Sequence, residues 1–238
     1  MFNKNLTLNA ANVNGLVITH AIALQQRLNF NSTTAGEFAT FSGLLSNTSG
    51  LTKTGAGALI LSGANSYSGG TLFEQGQLRL THSSALGTGP LTVNAIGGTL
   101  LTLGNGVNIA NNINLATSLV VAPDAGAVAT LSGIISESGG SSGLTKTNVS
   151  TLVLSGANTF SGGVYAIDGT VRVEHNSGLG TGTLTLPGAV TLDLADGVNA
   201  ANRVLLQNNV FFNVDAGTAT LSGPVEDVGA SSRPVRGG

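Results

Sequence analysis

Short apolar pieces return along this chain at a near-constant interval, and that interval restricts its fold more than any other feature. Leu144-Thr145-Lys146, Val164-Tyr165-Ala166, Leu184-Thr185-Leu186 and Val204-Leu205-Leu206 start 20 residues apart, three times running. Leu51-Thr52-Lys53, Thr71-Leu72-Phe73 and Leu91-Thr92-Val93 keep the same step. A second series, starting at Leu152, Val171 and Val190, runs beside the first at a step of 19. Each piece alternates with a period of two, as half-buried strands do. SGAN, SGG, DG and GTG lie between the pieces and punctuate them as turns. A helix would lose about 1 kcal/mol at each interior glycine, and the chain has 35 glycines.

Strands that recur every 19–22 residues in one direction predict an all-β chain. The expected fold is a right-handed parallel β-helix (β-solenoid) of about 20 residues per rung, right-handed as parallel crossovers are. The spacing places Leu144, Val164, Leu184 and Val204 in one inward column. Leu152, Val171 and Val190 form a second column, and Leu154, Val173 and Leu192 a third; Val153, Arg172 and Thr191 point outward. With rungs about 4.8 Å apart, a chain of this length makes about eleven or twelve of them.

A longer repeat lies over the short one. ATFSG at 39–43 returns as ATLSG at 129–133 and at 219–223, and DAG at 124–126 returns at 215–217. The expected organisation is one solenoid over 1–223: a partial unit 1–38, repeat units 39–128 and 129–218, and the start of a third at 219–223. GPVEDVGASSRPVRGG breaks the pattern, so 224–238 is expected to be a disordered tail. Residues 15–43 match the end of a unit, and the chain reads as a fragment or a truncated reading frame.

Composition narrows the function. Charged residues make up 8% of the chain, against about 25% in an ordinary domain. At 41% hydrophobic residues, the chain is too apolar for disorder, so its surface is Thr, Ser, Asn and Gly. The formal charge is −2, and the nine Lys and Arg form no stripe; nucleic acid is not an expected partner. There is no cysteine for a disulfide framework or a thiolate metal site. No apolar run fits a signal peptide or a membrane-spanning helix, so no direct membrane insertion by this chain is expected.

The segment GLTKTGAGALILSGANSYSGGTLFEQGQLRL (50–80) and its counterpart GLTKTNVSTLVLSGANTFSGGVYAIDGTVRV (143–173) resemble the autotransporter passenger-associated β-strand repeat. LGTGPLTV (86–93) and LGTGTLTL (179–186) resemble the stretch that commonly succeeds that repeat. The resemblance implies a β-helical passenger of Gram-negative bacteria, extracellular at the cell surface and associated with the outer membrane, in a parent protein with a C-terminal outer-membrane barrel.

Candidate sites all have a plain structural reading. Lys53 and Lys146 recur at one repeat position; an anionic ligand is conceivable there, but a strand end with the ammonium in solvent is the expectation. Gly69–Gly70 and Gly162–Gly163 are expected to hold positive φ in a tight corner. Asn65 and Asn158 belong to the same corner, bonding local backbone or stacking on neighbouring Asn. His82 and His175 are repeat equivalents expected on the surface at a strand end. Nothing matches the spacings of a metal site or an activated nucleophile. A 19-residue rung would stack Glu174 on Asp193 near Arg172, with carboxylates about 5 Å apart as in a retaining glycosidase. The first copy, however, has Thr81 at the Glu174 position. Phe211 and Phe212 are adjacent, so one should point inward and one outward; Phe30, Phe41, Phe73 and Phe160 read as core or turn packing.

The sequence therefore points to a non-catalytic stalk or display segment with no cofactor or metal. An adhesin-type module for glycans or host surfaces is the alternative, and a polysaccharide-cleaving enzyme a remote one. Open terminal rungs make end-to-end self-association a further expectation.

Overall fold

The structure, a computed structural model, describes residues 6–9, 15–215 and 217–228. Every ladder among the described residues is parallel, and strands pair with those one coil before or after them. No helix occurs among the described residues.

The coil has three faces. The first carries Leu6–Asn9, Leu28–Asn31, Leu51–Thr54, Thr71–Phe73, Leu91–Val93, Ile113–Leu115 and Ile135–Glu137. The second is the longest: Leu16–Ile18, Phe38–Phe41, Ala58–Leu61, Gly76–Leu80, Thr99–Leu103, Leu119–Pro123, Leu144–Lys146, Val164–Ala166, Leu184–Leu186, Val204–Leu206 and Val225–Asp227. The third begins with Ile22–Ala23 and Leu45–Ser46. It resumes as Asn108–Ile109, Val128–Leu131, Thr151–Leu154, Gly169–Val173, Val190–Leu194 and Val210–Val214.

Where a face lacks a strand, single backbone bonds still join the coils. On the third face Ser66 N–H donates to Leu45 O (2.8 Å) and Thr88 N–H to Tyr67 O (2.9 Å). On the first face Thr159 N–H donates to Ile135 O and Thr181 N–H to Phe160 O, both at 2.9 Å. Beyond them Asn199–Ala200 pairs with Thr220–Leu221. The chain thus makes about 10 turns of ~21 residues. Individual coils differ because insertions are confined to corners. Leu59 to Leu78 is a step of 19, whereas Val121 to Lys146 is a step of 25 that takes in the Gly/Ser-rich loop 138–143.

Alternation fills the interior. Leu144, Val164, Leu184 and Val204 stand in one register column and are all buried, as the 20-residue step predicts. Burying a Leu or Val side chain contributes about 1.5–3 kcal/mol, and one continuous cluster of such residues runs from Leu24 to Val204. Phe30 and Phe41 meet edge to face within it, ring centroids 5.8 Å apart.

The series read at a step of 19 is corrected by the ladder. Leu152 does pair with Val171, but Val171 pairs with Leu192 and Val173 with Leu194. Val190 faces Gly169, two places back. A slip of two keeps every side chain on its own face, so alternation cannot distinguish the two registers. Phe211 and Phe212 were expected to split between inside and outside, yet they are 62% and 50% exposed. Phe212 does stand in the column of Leu192, but Val210–Val214 is the last described strand of its face, and no described coil covers it. Finally, Val225–Asp227 pairs in register with Val204–Leu206. This part of the segment read as a tail is therefore a strand, while 229–238 lie outside the described residues.

Candidate functional site

The side chains that recur between the two long repeats converge on the joints between coils. Lys53 lies two residues after the inward Leu51, so its side chain enters the coil and is fully buried. Its Nζ donates to the carbonyls of Thr54 and Gly55 (both 2.7 Å) and of Gln75 in the next coil (3.0 Å). The Phe30 ring lies 5.9 Å away, within cation–π range. Lys146 repeats the arrangement, donating to Asn148 O and Asp168 O (2.7 Å each). Both lysines were expected to keep the ammonium in solvent; instead three turn carbonyls take the place of water. Leu51 and Lys53 share parity, and that was the signal for an inward lysine.

Burial lowers both ammonium groups to about 8 from the ordinary 10.5. Between those values the unfolded chain binds more protons than the folded one, so folding stability should rise as pH increases from about 8 to 10.5. Denaturation midpoints across that range check this, and a Lys53→Met/Lys146→Met variant should flatten the rise.

The turn beside each lysine shows how NVS replaces GAG. Gly55 has φ +71° and Asn148 φ +70°. Asparagine is among the few side chains that tolerate the left-handed region, and Asn148 Nδ2 also donates to Pro123 O at 3.1 Å.

The SGAN corners bridge three coils. The Asn65 Oδ1 accepts Leu45 N–H (2.8 Å) from the coil before, and its Nδ2 donates to Ala85 O (2.7 Å) in the coil after. Asn158 does the same with Ile135 N–H and Gly178 O, both at 2.7 Å. These are bonds between coils rather than within the local turn. In each double glycine the second residue has positive φ, +73° at Gly70 and +77° at Gly163. The first is required for another reason: a Cβ on Gly69 or Gly162 would stand 2.5 or 2.3 Å from the Ser49 or Ser142 carbonyl carbon. In copy one, buried Tyr67 and Thr71 share a hydrogen bond of 2.5 Å. In copy two both partners are apolar, Phe160 and Val164, a paired exchange that leaves no polar atom stranded.

Arg79 and Arg172 are further recurring residues; sequence reasoning set Arg172 near Glu174 and Asp193 but missed Arg79 and the aspartate that each arginine reaches across a coil. Arg79 reaches over the intervening coil to form a bidentate pair with Asp124 (2.5 and 2.6 Å). Arg172 likewise reaches Asp215, and also binds Asp193 (2.7 Å) and Glu174 (2.9 Å). Asp193 stands opposite Arg172 in the ladder rather than stacked on Glu174. The cluster is an arginine with three carboxylates around it, not two facing acids. The Asp215 carboxyl is held below its usual range by Arg172. The returning LRL/VRV and DAG segments were the signal.

His82 and His175 mark the start of a turn. The Nδ1 of each accepts the backbone N–H two residues on, from Ser84 and Ser177, at 3.0 Å. Among the described residues no group of three or more His, Asp or Glu is placed to hold a metal ion.

Each repeat also leaves a shallow groove beside its double glycine. In copy one Gly69, Gly70, Leu72, Pro90 and Thr92 line about 170 Å³. In copy two Gly162, Gly163, Tyr165, Thr183 and Thr185 line about 200 Å³. Tyr165 is 42% exposed there.

Comparison with known proteins agrees with this geometry. The passenger-associated-transport-repeat model matches residues 51–80 and 144–173. Over 108 residues the chain is 37% identical to the adhesin BmaC autotransporter of Brucella suis biovar 1 (strain 1330). That match covers 44% of this chain and 3% of the relative, so the chain spans a small part of the curated protein it resembles. No solved structure matches the chain. It is a β-solenoid in which two segments match the passenger-associated-transport-repeat, and it is similar to a part of an autotransporter adhesin.

Proposed function

We propose that this chain is a non-catalytic stalk segment of a bacterial autotransporter passenger, holding other parts of a longer surface protein away from the outer membrane. The observation that carries the reading is where the repeat-specific polar groups go. Lys53, Lys146, Asn65, Asn158, Arg79 and Arg172 all join one coil to another. Arg79 also lines a shallow pocket of about 220 Å³ with Glu37, Phe38 and Gln77, but its guanidinium is bound to Asp124 across the coils. Ten coil steps at about 4.8 Å give a rod of about 48 Å. Such a chain folds by nearest-neighbour addition, and the parent protein would supply the outer-membrane barrel.

An adhesin-type role is the second reading. It is favoured by the name of the relative and by the two glycine-floored grooves. Presenting the soluble chain to glycan arrays and host matrix proteins separates the two. A stalk gives no saturable binding above background. Saturable binding lost in Tyr165→Ala would replace the stalk reading with the adhesin one.

A further inference from the structure

The long repeat does not close after a whole number of coils. The first LTK strand, Leu51–Thr54, lies on the first face, and its counterpart Leu144–Lys146 lies on the second. Between them the chain passes four full coils and one face more. Three further sets of equivalent strands shift in the same way, each through all three faces. Leu28–Asn31, Leu119–Pro123 and Val210–Val214 lie on the first, second and third faces. Phe38–Phe41, Val128–Leu131 and Thr220–Leu221 lie on the second, third and first. Leu45–Ser46, Ile135–Glu137 and Val225–Asp227 lie on the third, first and second. Every set advances one face per unit, in the same sense.

We infer that the unit is a screw of thirteen faces, so that successive repeats turn their equivalent surfaces by one third of a revolution about the rod. The surface features move with the strands. The groove at Gly69–Gly70 opens beside Leu72 and Thr92 on the first face, and the groove at Gly162–Gly163 beside Tyr165 and Thr185 on the second. The Arg79–Asp124 pair starts on the second face and the Arg172–Asp215 pair on the third.

In a tandem array built from this unit, equivalent residues face the same way only every third repeat. That is thirteen coils, or about 62 Å at ~4.8 Å per coil. A rigid or flat partner lying along one side would meet one equivalent groove per three repeats. For its biological use this rests on the stalk reading, since a spacer of this kind presents no preferred side. The geometry stands without that reading.

The chain has no cysteine, so spin-label pairs can be placed cleanly on the full chain. Leu72 pairs with Thr92, Thr92 with Asn114 and Asn114 with Ser136. Thr159 continues that row, through its neighbour bond to Ile135 O. Thr159 and Tyr165 lie in one coil, four above Leu72, on adjacent faces. Leu72→Cys/Thr159→Cys should give a backbone separation of about 19 Å along the axis. The repeat-equivalent pair Leu72→Cys/Tyr165→Cys should be longer by about 3 Å or more, because sheets facing across a core stand ~10 Å apart and the labels diverge. Thr92→Cys/Thr185→Cys is the same screw step and should reproduce the Leu72/Tyr165 distance, which also covers the case of a Tyr165 variant that fails to fold. Equal distances for the Thr159 and Tyr165 pairs, or a Thr92/Thr185 distance matching the axial pair, would overturn the screw. The stalk reading would then still stand or fall on the binding arrays.

Discussion

Lys53→Glu is expected to destabilise the chain by about 3–5 kcal/mol, the range for leaving a buried charge without its partner. The carboxylate would sit where Nζ now meets the carbonyls of Thr54, Gly55 and Gln75, with three acceptors around it and no donor. Lys53→Met removes the donors without inverting the charge, and should cost about 1–3 kcal/mol for the stranded carbonyls. Because a domain of ordinary stability has about 5–15 kcal/mol in total, the glutamate variant should lose most of its ordered β signal at modest urea. Urea midpoints and far-ultraviolet dichroism measure both variants. A glutamate variant within about 1 kcal/mol of the parent, the scale of an exposed ion pair, would mean that the side chain reaches solvent and that the socket is not formed.

Gly163→Ala should cost more than about 3 kcal/mol, against about 1–2 for Gly126→Ala, the usual penalty of a left-handed β-carbon. The two glycines have nearly the same φ, +77° and +73°. They differ in what a Cβ would meet. At Gly126 there is nothing within 4 Å, whereas at Gly163 the Thr183 carbonyl oxygen would be 2.2 Å away. That oxygen accepts the Val164 N–H at 3.0 Å, so it cannot withdraw without breaking the ladder between two coils. The comparison isolates close coil packing from conformational strain. Equal losses at the two positions would show that the corner can open to admit a methyl group.

Much of this architecture is legible in the sequence because inward columns need no knowledge of the turns between them. Leu144, Val164, Leu184 and Val204 share a step of 20, and the ladder places them together. The register of Val190–Leu194 was not legible. Val190, Leu192 and Leu194 are all apolar at alternate positions, so sliding by two leaves the pattern intact and only the turn decides. That slide moved Asp193 from Glu174 to Arg172 and with it changed the chemistry of the patch. The buried lysines were legible from parity, but solvation preference was given more weight than alternation. The one-face advance per repeat was hidden because a 93-residue offset does not say how many corners the chain turns. Only pairing partners do.

The lysine sockets tie the burial of a charge to the stacking of the next coil. Each ammonium finds acceptors in its own turn, Thr54 O and Gly55 O for Lys53 and Thr147 O, Asn148 O and Ser150 Oγ for Lys146, and one more, Gln75 O or Asp168 O, in the coil that comes next. A coil at the open end leaves its ammonium to water, and the arrival of its successor both covers the cation and supplies the further acceptor. Growth toward higher residue numbers meets a waiting donor at these two joints, and growth in the opposite sense meets a waiting acceptor, the Gln75 or Asp168 carbonyl. The same covalent repeat is thus a clasp as well as a building block, since fraying of one coil uncovers a cation in its neighbour.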